Sequence, residues 1–160
     1  MFPTTSGGYS FTVALADEPA TRRLMTDIAG LIEPGDLITL SGDLGAGKTT
    51  FARAFIHALG GAEEVPSPTF TLVQTYPLEG VTVWHFDLYR LAAPEEAWEL
   101  DLEDALAEGV CLIEWPDRLG GLLPDERLDL DLTITGAGRH ARLAGRGAAG
   151  RRLVGCARGR

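Results

Sequence analysis

The sequence predicts a single-domain α/β fold: a central, mostly parallel but mixed β-sheet flanked by helices, with a C-terminal antiparallel hairpin. Three observations lead there. Short apolar runs with strand character alternate with helical stretches across residues 11–113, the pattern of a sheet wound with crossover helices. One of those runs, at residues 37–40, breaks into a glycine-rich loop and then straight into a helix. Finally, Leu128, Leu130, Leu132 and Ile134 alternate with polar residues over 127–135, and residues 140–143 can pair back as a hairpin. At 160 residues and 17.1 kDa the chain can bury one core but is short for two.

The elements follow in order. Residues 11–15 alternate as a short strand, and Asp17-Glu18-Pro19 opens a helix to about residue 32, its acids at the end the macrodipole favours. Glu33-Pro34-Gly35-Asp36 is a turn, residues 37–40 a buried strand, and residues 48 to about 59 a helix closed by Gly60-Gly61. Val65-Pro66-Ser67-Pro68 reads as an extended loop leading into a β-rich segment at 69–76. Residues 81–87 form a strand ending in an acid, residues 94–106 a third helix, and residues 110–114 another strand ending in an acid.

Composition excludes several classes. Apolar residues make up 45% and charged residues 23%, which is globular and not disordered. No apolar run approaches the roughly 20 residues of a membrane helix, and the first ten residues lack a secretory pattern, so a cytoplasmic address is expected. Cys111 and Cys156 are too far apart for a disulfide framework or zinc site. Charge is uneven: residues 1–138 hold 7 basic and 23 acidic side chains, whereas residues 139–160 hold 7 arginines and no acid. The acidic body disfavours non-specific nucleic-acid binding; the basic C-terminal segment could meet RNA, an acidic partner or the body itself, or simply be solvated.

Chemistry concentrates around Lys48, the single lysine of the chain. Gly42-Asp43-Leu44-Gly45-Ala46-Gly47-Lys48-Thr49 matches G-x-x-x-x-G-K-[ST] at every fixed position. Between a strand and a helix, such a loop turns backbone N–H groups onto phosphate oxygens, and the helix adds its positive end. Lys48 would reach the β- and γ-phosphates, and the Thr49 hydroxyl a magnesium ion. This makes the domain a P-loop NTPase. In a parallel sheet the ligand crevice lies at the carboxyl ends of the strands, so Asp87 and Glu114 are both placed to reach it. Glu95, Glu96, Glu99, Asp101, Glu103 and Asp104 crowd one segment and read as a solvated face. His57, His85 and His140 read as structural rather than catalytic; Trp84, Trp98 and Trp115 read as core or partner contacts, with Trp115 near the site.

Four blocks carry a resemblance. Ser41-Gly42-Asp43-Leu44-Gly45-Ala46-Gly47-Lys48-Thr49-Thr50-Phe51, Ser67-Pro68-Thr69-Phe70-Thr71-Leu72, His85-Phe86-Asp87-Leu88-Tyr89-Arg90-Leu91 and Glu114-Trp115-Pro116 resemble, in order and spacing, the signatures of the TsaE (YjeE) family. The likeness runs from about residue 18 to residue 142. It implies the Mg-dependent ATPase of the bacterial machinery that makes threonylcarbamoyladenosine beside the tRNA anticodon, acting on a TsaD–TsaB pair that performs the transfer, with any tRNA contact made through that complex. It implies Lys48 as the phosphate lysine, Thr49 and Glu114 as magnesium ligands, and Asp87 as the acid that orients water or holds magnesium through water. Thr69 would sense the γ-phosphate. Residues Asp43 to Thr50 would cradle ATP, and Arg139 would border it. The arginine-rich end is not something the family pattern demands.

Two rivals compete with a partner-activated ATPase. A small-molecule kinase shares the phosphate loop but needs arginines on a lid, and between Thr49 and Pro116 only Arg53 and Arg90 are available. A nucleotide-switched binding module would use the ATP state to order residues 65–71 for a partner.

Overall fold

The computed structural model describes residues 9–43, 47–61, 71–136 and 138–157. Seven strands form one mixed sheet: β1 (Tyr9–Leu15), β2 (Leu37–Gly42), β3 (Val73–Leu78), β4 (Val81–Asp87), β5 (Val110–Glu114), β6 (Arg127–Thr135) and β7 (Gly138–Arg146). Their spatial order is β1-β7-β6-β2-β5-β4-β3. The central pairings β6–β2, β2–β5 and β5–β4 are parallel, while β1–β7, β7–β6 and β4–β3 are antiparallel. The expected mixed sheet and C-terminal hairpin are both present.

Among the described residues, four α-helices accompany it: α1 (Glu18–Ala29), α2 (Lys48–Ala58), α3 (Leu102–Glu108) and α4 (Gly147–Leu153). On one face, Ile38 and Leu40 of β2, Val83 of β4, Leu112 of β5 and the leucines of β6 bury against Leu24, Met25 and Ile28 of α1 and Phe51, Phe55 and Ile56 of α2. On the other, Leu37, Phe86, Cys111 and Ile113 pack with Ala97, Leu102, Ala105 and Leu119. The two-residue pleat of each strand makes this division. No helix among the described residues is long and apolar enough to cross a membrane.

α1 starts where expected, with Asp17 accepting the Ala20 N–H at 3.0 Å. It ends at Ala29, short of residue 32, because Leu31 and Ile32 bond back to Ile28 and Ala29 and the chain tightens ahead of Pro34. The third helix corrects the expectation for 94–106. It is a 3₁₀ segment, Pro94–Leu100, followed by α3, separated by Asp101 at φ 60°. A continuous helix would align Ala97, Asp101 and Ala105 four apart and drive Asp101 into the core. The break leaves Asp101 exposed and buries Leu102 instead. Glu95, Glu96, Glu99, Glu103 and Asp104 are also exposed, as read from the sequence. The start of the β-rich segment expected at 69–76 lies outside the described residues; β3 itself runs from Val73 to Leu78.

The described part of the basic C-terminal segment is built into the fold. Arg139, Arg142 and Arg146 lie in β7, and Arg151 and Arg152 in α4, which packs on β6 and β7. This close approach depends on glycine: a Cβ on Gly150 would strike the Arg127 carbonyl and the Gly145 backbone. Arg146 donates to Asp129 at 2.7 Å, and Arg152 to Asp36 at 2.7 Å. The acidic body is thus the partner of both these arginines.

Candidate functional site

The parallel strands β2, β5 and β4 end together. Glu114 stands in register with Leu40 on one side and Asp87 on the other. The chain then leaves β2 for the phosphate loop and enters α2 through Gly47, whose φ of 101° is left-handed backbone that glycine adopts without strain. α2 has no side-chain cap at this end, so its first N–H groups remain available to an anion.

Lys48 opens α2 and is buried. Its Nζ donates to the Gly42 carbonyl at 2.7 Å and the Asp43 carbonyl at 3.0 Å, and lies 4.5 Å from the centre of the Trp115 ring. The ammonium is therefore held within the loop by carbonyl dipoles and an aromatic face. Trp115, at φ 61°, stacks obliquely on Tyr89 at 4.9 Å, so the aromatic expected near the site forms its wall.

Two carboxylates face this cation. Asp87 is 7% and Glu114 3% exposed. Thr49 Oγ1 lies 3.4 Å from Glu114 Oε2. Burial pushes the Asp87 carboxyl up; the Tyr89 N–H at 3.1 Å opposes this, the Glu114 charge adds to it, and His85 and Lys48 oppose it. Two buried acids in register, with a hydroxyl beside one of them, form a hard-oxygen donor set of the kind magnesium takes together with nucleotide phosphates and water. The residues fit the ion.

Arg139 arrives from the opposite side. The β6–β7 hairpin runs past the last β2 pairing, Gly42 with Leu132, and brings Arg139 so close that a Cβ on Gly47 would sit 3.6 Å from its Nε. Arg139, Gly47, Thr50, Thr21, Asp17 and Leu15 line a cavity of about 190 Å³ beside the start of α2. Asp43, Gly47, Lys48, Thr49, Thr50, Asp87, Glu114 and Arg139 thus gather around one end of the sheet. Leu44, Gly45, Ala46 and Thr69 lie outside the described residues.

Sequence reasoning missed one contact. His85, read as an ordinary strand residue, is fully buried, and its Nε2 lies 2.7 Å from Glu114 Oε2. Part of the signal was present, since His85 precedes Asp87 by two and the pleat puts both on the same face; the contact with Glu114 also depends on β4 and β5 being neighbours. His57 and His140, by contrast, are exposed.

Comparison with known proteins agrees with this geometry. The family model described as "Threonylcarbamoyl adenosine biosynthesis protein TsaE" matches residues 15–143. The chain is 42% identical over 121 residues to the tRNA threonylcarbamoyladenosine biosynthesis protein TsaE of Rickettsia felis, covering 75% of this chain and 71% of that one. It is 34% identical over 151 residues to the TsaE protein of Haemophilus influenzae, covering 91% and 96%. The crystal structure of Bacillus subtilis YdiB superposes with a TM-score of 0.79 at 28% identity, covering 96% of this chain and 98% of that one. With the matched region spanning the phosphate loop, both strand-end acids and the hairpin arginine, the chain belongs to the TsaE family.

Proposed function

We propose that this protein is a Mg-dependent ATPase of the cytoplasm that supports threonylcarbamoyladenosine modification of tRNA by acting on a TsaD–TsaB complex. The observation that carries the reading is the buried Glu114 carboxylate, 3.4 Å from the Thr49 hydroxyl and in register with Asp87, at the mouth of a phosphate loop. Family membership supplies the pathway.

The position of each described residue, and the family resemblance for the rest, supports the following roles. Lys48 exchanges the carbonyls of Gly42 and Asp43 for the β- and γ-phosphate oxygens, which carry full charge and make stronger hydrogen bonds. By the family resemblance, the loop residues Asp43, Leu44, Gly45, Ala46, Gly47, Lys48, Thr49 and Thr50 would cradle the phosphates, and Arg139 would border the nucleotide from the hairpin. Thr49 and Glu114 would hold magnesium, which when bound would neutralise charge on the transferring phosphoryl group. Asp87 would accept a hydrogen bond from the attacking water or help hold magnesium through water. Thr69 contacts the γ-phosphate, an assignment that rests on the family resemblance.

Nothing in the described residues favours the kinase reading. Arg53 lies inside α2 and Arg90 in the turn after β4, not on a separate lid. The deciding experiment is phosphate release from Mg-ATP by the protein alone and with TsaD–TsaB, with Glu114→Ala as control. Stimulation by the partners, abolished in the variant, is expected. Background hydrolysis in the complete complex would overturn the ATPase reading, and a requirement for turnover in repeated tRNA modification would exclude a pure binding module.

A further inference from the structure

We infer that His85 is the positioning residue that sets the Glu114 carboxylate for magnesium, an inference that rests on Glu114 being the metal ligand proposed above. His85 and Glu114 lie on adjacent parallel strands, and both side chains point to the face that carries α2. The pleat takes Val83 to His85 on β4 and Leu112 to Glu114 on β5. A carboxylate only accepts, so the 2.7 Å contact has His85 Nε2 donating to Glu114 Oε2.

Packing alone does not account for this histidine. It is fully buried, and among the described residues its Nδ1 has no hydrogen-bond partner. Burying an imidazole with one nitrogen unpaired costs free energy that a leucine or phenylalanine filling the same space would not incur, although either would leave the buried Glu114 carboxylate without its closest donor. What the imidazole contributes, and an apolar side chain cannot, is one N–H directed at Glu114.

That hydrogen bond bears on the metal. Thr49 Oγ1 approaches the same oxygen, Oε2, at 3.4 Å, so His85 and Thr49 together fix one edge of the carboxylate. A glutamate has three side-chain torsions to order when it takes up an ion, and a carboxylate anchored in advance loses less freedom on doing so. Hydrogen-bond partners behind a metal ligand work in this way, and removing one weakens metal affinity by about ten- to a hundredfold.

The test is calorimetric titration of Mg²⁺ into the full-length protein saturated with ADP, compared with ADP binding in EDTA. The variants are His85→Leu, His85→Gln, His85→Asn and Glu114→Gln. His85→Leu is expected to weaken Mg²⁺ binding by about ten- to a hundredfold, with ADP affinity in EDTA preserved. The Gln amide can reach the position of Nε2 and should restore Mg²⁺ binding. The shorter Asn amide reaches only the position of Nδ1 and should not. If His85→Leu does not fold, the Gln and Asn variants decide the matter, and equal Mg²⁺ binding by those two would overturn the inference. Wild-type Mg²⁺ binding by His85→Leu, with loss in Glu114→Gln, would overturn the role of His85 alone. Loss of ADP binding in EDTA by His85→Leu would reduce it to a packing residue. Unaltered Mg²⁺ binding by Glu114→Gln would instead sink the assignment of Glu114 and this inference with it.

Discussion

Arg152 tests whether the basic C-terminal segment serves the fold. Its guanidinium donates to Asp36 Oδ1 at 2.7 Å and to the Leu31 carbonyl, and its Nε lies 3.7 Å from Glu33. Asp36 is 5% exposed and also accepts the Glu33 N–H at 2.7 Å, so the cluster ties α4 to the turn between α1 and β2. Truncating one member of a fully buried pair costs about 3–5 kcal/mol, because the remaining charge loses its compensation. Arg152 is 30% exposed, and Asp36 keeps its backbone donor, so a smaller loss of about 2 kcal/mol is expected for Arg152→Ala. For a domain of this size that corresponds to a Tm lower by about 4–8 °C. Thermal melts of wild type, Arg152→Ala, Asp36→Asn and the double variant give the coupling directly. If Arg152→Ala melts with wild type, or if the two substitutions simply add, the arginine does not hold the fold together and the segment is free for another partner.

Three further outcomes are expected. Lys48→Ala should lower partner-stimulated phosphate release by about 10²–10³-fold, the cost of removing one donor aimed at transition-state charge, and an unchanged rate would refute the phosphate role. Asp87→Asn should raise the neutral-pH Tm measured in EDTA while lowering ATP turnover. Burial raises this carboxyl in the folded state, so its destabilising ionisation is complete above the raised value and vanishes as pH falls to its ordinary 3.8; the variant should lack that dependence, and a lower, more pH-dependent Tm would contradict it. The Cys111 thiol, fully buried and pushed up to about 12, should resist a thiol reagent in native Cys156→Ser protein and react on unfolding; rapid native labelling would show that β5 is not enclosed.

How much of this was legible depended on the range of the forces involved. The phosphate loop, the acids closing β4 and β5, and the cap at Asp17 are set by neighbours within a few residues, and the chain displays them directly. The approach of His85 to Glu114 requires knowing that β4 and β5 are adjacent and parallel, which no local pattern states. Arg139 reaches Gly47 only because the hairpin lies beside β2 and runs beyond it. α4 was missed for another reason: Gly147 and Gly150 weaken the helical pattern, and the close packing that Gly145 and Gly150 permit is visible only in three dimensions.

The sheet also explains why charge of both signs can meet at one end of an acidic protein. The parallel half delivers the anions, Asp87 and Glu114, from β4 and β5, while the antiparallel half delivers Arg139 on the β6–β7 hairpin. β2 lies between them, and its loop carries Lys48. A lone phosphate chain entering this site would meet favourable charge at Lys48 and Arg139 but repulsion from the two buried carboxylates. Held with a divalent cation, as the proposed function requires, the same chain would offer its metal to Asp87 and Glu114 and its oxygens to Lys48 and Arg139, so that opposite charges would meet. On the function proposed above, this strand order would favour a metal–nucleotide complex over free nucleotide, and a Glu114 carboxylate held in place before the ion arrives would strengthen that preference.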